Sequence, residues 1–290
     1  MDALLCLLSF CISHFGQGDL TEHPPSVLFK ELLNQGVPIA QSHFVKLPQP
    51  IMPDGLSEKE QLQRIQQLPG RSIPVEELIR PSSVAPFVLR IHDIESTLPQ
   101  QPGRAVDLYF VTPGTLDQLL QADFLDQLLN SGRKDAQIQP LDQPSHKPRS
   151  PSDIGPKVGH AHIQIQLMDR VLLRSTQMTS WHRTKDSIVV AAKIDPAFNG
   201  HEQYPNCWFE LKRNDGGRLE PQMTAQGYHS AGYYLKLTTM HAAEPMLFVE
   251  WHLAFAEPAA WFDGANLLRS KLPLVIQTKV RAFRRDLMRK

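Results

Sequence analysis

Little in this chain points to a ready-made chemistry. It holds three cysteines, Cys6, Cys11 and Cys207, with no Cys-x-x-Cys pair. A disulfide-stapled scaffold and a thiolate zinc cluster are therefore excluded. No run of 18 apolar residues occurs, which rules out a bundle of membrane-spanning helices. Gly-x-Ser-x-Gly, His-Glu-x-x-His, the P-loop and Gly-x-Gly-x-x-Gly are all missing. With them go the easily recognised serine hydrolases, zinc proteases and nucleotide binders. Neither sign of charge is in excess, with 30 Lys+Arg against 30 Asp+Glu, so no broad basic surface is available to grip nucleic acid. Glycine is scarcer than proline, 16 against 24, and the chain should be cut into many short elements.

What is present is an ordinary globular balance, 41% hydrophobic and 21% charged. The most apolar window is Ala3 to Phe15, followed by Gly16, Gln17, Gly18 and the charged Asp19. That pattern reads as a secretory signal over residues 1–18, cut after Gly18. It lacks the usual basic start, since the first positive residue is Lys30. The expected location is exported, periplasmic or secreted. The mature chain would keep Cys207 alone, a buried and inert thiol.

Residues 19–80 read as a helical preface interrupted by proline. A short helix is expected from Pro25 to Asn34, with Gly36 just past its end. Ser57-Glu58-Lys59-Glu60 is a capping box opening a helix to about Leu68. Residues 81–137 read as two neighbouring antiparallel strands, Val84 to Ile94 and Ala105 to Val111, and then a helix from Thr115 to Asn130. Residues 138–157, with five prolines, read as an exposed loop or linker. From 158 to 290 strand signals dominate, and residues 81–290 are expected to form one domain. The strands are closely spaced with no helix between them, so the sheet should be antiparallel. Asn214-Asp215-Gly216-Gly217 marks a turn between two of them.

The chain ends in a helix from Leu272 to Met288, with Pro273 in its first turn. Leu272, Ile276, Val280, Phe283 and Leu287 fall on one stripe, and Arg281, Arg285 and Arg289 on the opposite face. The expected fold is α+β: a curved antiparallel sheet packed by a long C-terminal amphipathic helix, behind a helical N-terminal preface. The basic back of the helix reads as a solvated face, with weak contact to anionic lipid as the alternative.

Two residue pairs carry candidate chemistry. His160 and His162 lie at i, i+2 on one strand face and so could chelate a metal, but no third ligand is fixed by spacing. The reading favours a polar, solvent-facing strand with neither metal nor cofactor. Glu250 and His252 have the same spacing, opposite an apolar face of Leu247, Val249, Trp251, Leu253 and Phe255. If they lined a cavity they could act as acid and base; otherwise they form an ion pair or a solvated edge.

The order of elements after residue 158 resembles the START/polyketide-cyclase superfamily of helix-grip domains. The resemblance is carried by SAGYYLKLTTMHAAEPMLFVEWHLAF, the proline-containing connection after it, and KLPLVIQTKVRAFRRDLMRK. The chain also resembles exported bacterial proteins. The helix-grip resemblance implies an apolar cavity between sheet and C-terminal helix, and carries over no site residues. Trp181, beside a turn, could stack on a ligand, with core or hairpin packing as the commoner reading, and Tyr233 and Phe283 are the other candidate ligand contacts. The leading functional expectation is thus a non-enzymatic binder of an apolar ligand or a protein partner. Two alternatives stand beside it: an envelope enzyme, perhaps metal-assisted, using the His/Glu pairs, and a structural protein with a filled core.

Overall fold

Residues 25–40, 43–68, 72–94, 102–121, 136–141, 158–262 and 267–289 are described in a computed structural model of the chain. The signal-like segment 1–18, residues 122–130 of the helix expected from Thr115 to Asn130, and the proline-rich stretch 142–157 lie outside the described residues.

The first element of the preface among the described residues is α1 (Val27–Asn34). Ser26 caps it, its hydroxyl accepting from the Phe29 N–H at 3.1 Å. The chain then reverses at Gly36, whose φ of +95° only glycine adopts without strain. A side chain there would also press on the backbone of Val45. The reversal leads into a two-stranded hairpin, β1 (Val37–Ala40) and β2 (His43–Val45), so the preface is not purely helical. Next come α2 (Glu58–Gln66), with the expected capping box of Ser57 and Glu60, and the single turn α3 (Val75–Leu78).

The sheet strands follow: β3 (Val88–Ile94), β4 (Gly103–Pro113), then the turn α4 (Leu116–Leu119), β5 (Ala136–Leu141), β6 (Val158–Leu167), β7 (Val171–Arg183) and β8 (Ser187–Ile194). After them come β9 (Cys207–Arg213), β10 (Leu219–Pro221), β11 (Gln226–Gly227), β12 (Ala231–Met240) and β13 (Met246–Ala256). The helix α5 (Leu267–Met288) ends the chain.

All pairings in the 11-stranded sheet are antiparallel. Its spine runs β3-β4-β13-β12-β8-β7-β6-β5. β7 is long enough to carry β9 beside its first half and β8 beside its second, on the edge opposite β6. β5 corrects the sequence reading. Ile138 to Leu141, expected in the loop, form a strand against β6, with Pro140 at the free edge, where a missing N–H costs nothing. The turn expected at Asn214 joins β9 to β10, with Gly217 at a φ of +76°.

Strand alternation sorts the side chains into two faces. On the inner face Leu108, Ile163, Val190, Leu235 and Val249 pack with Ile276, Val280, Phe283 and Leu287 of α5 in the main core. On the outer face Tyr234 and Ala254 pack with α1 and the hairpin, while Tyr109, Val111 and Phe248 pack with α2 and α3. The sheet is thus covered on both sides.

α5 differs from expectation in two ways. It starts at Leu267, so Pro273 lies inside it and not in its first turn. Its buried face also includes Arg284, which has 0% exposure. The Arg284 guanidinium donates to the Val111 carbonyl at 2.9 Å, to the Pro86 carbonyl at 3.0 Å and to the Ala85 carbonyl. It also lies over the Phe110 ring. Burial without a counter-charge pushes its pKa down to about 10. This fork of donors ties α5 to the end of β4 and to the loop before β3.

Candidate functional site

The inner face is not completely filled. A cavity of about 160 Å³ lies between the sheet and the first half of α5. Its floor comes from β6, β7, β12 and β13, through Ile165, Leu173, Tyr233, Trp251 and Phe255. Leu268, Leu272 and Ile276 of α5 form its roof, and Trp261 and Tyr228 close one end. Leu167, Leu253, Val275 and Lys279 also line it and are only half-buried, so they mark the side where it meets solvent. The cavity lies along the first half of α5, and the Arg284 tether lies in the second half.

Few polar groups face this space. The Tyr228 hydroxyl donates to the Ala256 carbonyl at 3.0 Å. Gln177 projects from the inner row of β7, in register with Leu173 and Val171. It is 6% exposed, and its Oε1 has no hydrogen-bond partner among the described residues. Trp261 is 3% exposed, and its Nε1–H likewise has none. The Trp261 ring is held by Tyr228 at 5.2 Å and by Trp208 edge-on at 6.2 Å. Desolvation beside the apolar wall lowers the Lys279 pKa.

Of the three residues expected to meet a ligand, Tyr233 lines the cavity. Phe283 lies deeper in the core, edge-on to Phe110 at 6.0 Å, and Trp181 packs at the border of the same core. Neither lines the cavity. Gln177 and Trp261 were not singled out from sequence. No local signal marked Gln177, because its row on β7 also holds Ser175 and Thr179.

Glu250 and His252 point from β13 to the other face of the sheet, and both have 0% exposure. The chain between β2 and α2 covers them like a strap. The Glu250 carboxylate accepts from the Ile51 N–H at 2.8 Å and the Met52 N–H at 3.3 Å. Lys236 of β12 donates to the Met52 carbonyl and to the Asp54 carboxylate, both at 2.7 Å. Tyr234 donates to the Pro48 carbonyl at 2.8 Å. Beneath the strap His252 Nδ1 lies 2.7 Å from Asp107, whose other oxygen lies 3.2 Å from His92 Nε2. The His252 Nε2 to Glu250 separation of 3.6 Å is an attraction of charges, too long for a hydrogen bond.

These contacts set the protonation states. Burial works to lower the His252 pKa, but Asp107 and Glu250 outweigh it and hold the imidazole above its ordinary value. Burial works to raise the Asp107 pKa, and His252 and His92 bring it below the ordinary value. Asp54 is lowered in the same way, with Lys236 opposing burial. The cluster reads as a charged clasp that fastens the preface to the sheet.

His160 and His162 share a face of β6, as their spacing requires, but take separate partners. His160 Nε2 lies 2.9 Å from Asp195, and His162 Nδ1 lies 3.0 Å from Thr176 Oγ1. Burial and the neighbouring Arg174 push the His162 pKa down to about 4. Between β6 and β13 lie β7, β8 and β12, so the two candidate pairs stand four strand spacings apart, roughly 19 Å. The fold does not gather them into one site. Among the described residues no group of three His, Cys, Asp or Glu is placed to hold a metal ion.

No protein-family model matches the chain, and no curated protein sequence matches it. Among solved structures it is similar to human STARD10, at 6% identity and a TM-score of 0.37, over 69% of this chain and 74% of that chain. An overlap that loose decides neither ligand nor reaction, and the case for function rests on the cavity.

Proposed function

We propose that the protein binds a small apolar molecule, without transforming it, in the space between the sheet and α5. The observation that carries this reading is the cavity itself: about 160 Å³, walled by aliphatic and aromatic side chains, with one side reaching solvent. Apolar space of about 150 Å³ is known to stay dry and to take up a benzene-sized guest. Two features favour binding over catalysis. The acid and base best paired in the molecule, Glu250 and His252, lie on the opposite face of the sheet under the strap. The carboxylate oxygens of Glu250 are moreover already used by backbone N–H groups.

The test is calorimetric titration with toluene. One saturable site is expected, lost in Leu268→Trp, where the added ring occupies the space. Absence of saturable uptake, or uptake indifferent to that substitution, contradicts the reading.

Two further readings accompany this one. The N-terminal apolar stretch supports export, and the protein isolated from its host should begin at or near Asp19; an intact Met1 would contradict that. The outward face of α5 exposes Arg269, Lys271, Arg281, Arg285 and Arg289 beside Leu274, with no exposed acid. Such a face suits weak contact with anionic lipid next to the mouth of the cavity.

A further inference from the structure

The strap over the outer face is fastened by side chains alone. Pro48, Pro50 and Pro53 remove three of its N–H groups, so it cannot pair as a strand. Among the described residues, 48–55 make no backbone-to-backbone hydrogen bond to the sheet beneath. Met52 is their one buried side chain. The hold comes from charged groups of the body. Glu250 takes the Ile51 and Met52 N–H groups, Lys236 reaches the Met52 carbonyl and Asp54, and Asp186 takes the Gly55 N–H. A segment attached in this way can open when the charges beneath it change, while the strands stay paired.

Histidine is the side chain that changes charge near neutral pH, and His252 lies beneath the strap with 0% exposure. Its Nδ1 is 2.7 Å from Asp107 and its Nε2 is 3.6 Å from Glu250. Asp107 keeps the hydrogen on Nδ1, so a neutral ring turns a bare Nε2 lone pair toward the Glu250 carboxylate. Attraction between imidazolium and carboxylate is then replaced by repulsion, at a place sealed from water. Water between the two relieves it. The way in is under the strap, whose Ile51 and Met52 N–H groups hold that same carboxylate.

We infer that residues 48–55 act as a pH-gated strap, shut while His252 carries its proton and lifted from the sheet once that proton is lost to solvent. The gate lies on the face opposite the cavity and does not depend on what the cavity binds. The other groups facing the ring do not replace its charge. Tyr109 of β4 and Tyr234 of β12 lie against it, with ring centroids at 5.4 and 4.8 Å, and burial pushes both phenols above their ordinary value, so they stay neutral. Lys236 of β12 stands opposite Glu250 in register but is committed to Asp54 and the Met52 carbonyl. From β3, His92 shares Asp107 with His252, and Arg90 acts on Tyr109. Burial works to lower the His252 pKa, but Asp107 and Glu250 raise it above the ordinary 6.5. The strap is therefore shut below that value and opens as pH climbs through the higher, folded one.

The experiment is hydrogen exchange of the full chain, resolved by residue, with each rate divided by that of an unprotected amide at the same pH. From about pH 6 to about pH 9 the Ile51 and Met52 amides should lose at least about tenfold in protection, because a one-unit difference in the His252 pKa between shut and open strap is tenfold in the opening equilibrium. At about pH 9 they should also stand at least about tenfold below Leu235 and Trp251, paired in the sheet beneath, because the strap opens without the strands. In His252→Gln, whose side chain has no charge to lose, the Ile51 and Met52 protection should no longer vary over that range. Constant protection of Ile51 and Met52 in the unaltered chain overturns the inference, and needs no variant to fold. So does equal protection at all four positions at about pH 9, since the strap would then open only with the whole molecule. A fall as large in His252→Gln as in the unaltered chain overturns it too, because another group would be the sensor.

Discussion

Three consecutive residues of α5 illustrate how position overrides residue type. Phe283 and Arg284 are buried, whereas Arg285 is exposed. Phe283→Ala should cost about 3–5 kcal/mol, the range for removing a packed aromatic ring. Arg285→Ala should change stability by no more than about 0.5 kcal/mol. Denaturant titration checks both, and equal small losses would mean that α5 is peripheral. His252 gives a prediction in pH. Its pKa is raised in the folded state, so its stabilisation is complete below the unfolded value and is lost as pH climbs through the folded one. Asp107 is lowered, so its share is complete above the unfolded value and is lost as pH falls through the folded one. The pair therefore contributes most between the ordinary values of 3.8 and 6.5. Stability should decline from pH 6 to pH 9, and His252→Gln should flatten that decline relative to the unaltered chain. An identical slope in the variant would show that the clasp does not hold the imidazolium.

At the scale of elements, legibility followed periodicity. The capping box at Ser57 and the turn at Asn214 were readable because pattern and caps are local. The stripe of α5 from Ile276 to Leu287 was readable for the same reason. Arg284 was left out of the stripe because of its charge, although it lies four residues after Val280. Lys236 and Glu250 alternate with apolar residues, the mark of a solvated face, yet a remote segment covers them. Nothing in β12 or β13 announces the strap over residues 48–54, because the contact spans about two hundred positions of sequence. The cavity was legible only as an implication of sheet and helix together. Its lining residues Gln177 and Trp261 come from β7 and from the turn after β13, which no local pattern joins. The basic face of α5 is an element-scale feature that was legible. The protein should pellet with phosphatidylserine vesicles at low salt and be released by about 0.5 M salt, where screening is nearly complete at contact distances. Equal recovery with neutral vesicles would contradict an electrostatic contact.

For the whole molecule, the arrangement is a sheet covered twice by different means. The preface is fastened to the outer face by hydrogen-bonded charges, among them Glu250, Lys236 and Asp54. On the inner face α5 is pinned by Arg284 in its second half and roofs the cavity with its first half. The hollow lies away from that tether, with half-buried side chains on the side where it meets solvent. The central claim is that this hollow exists and is apolar, and a crystal equilibrated under xenon pressure tests it most directly. Xenon, which enters dry apolar cavities, should give a peak among Leu173, Trp251 and Ile276. A structure in which those side chains meet one another, with no xenon between sheet and helix, would contradict the account.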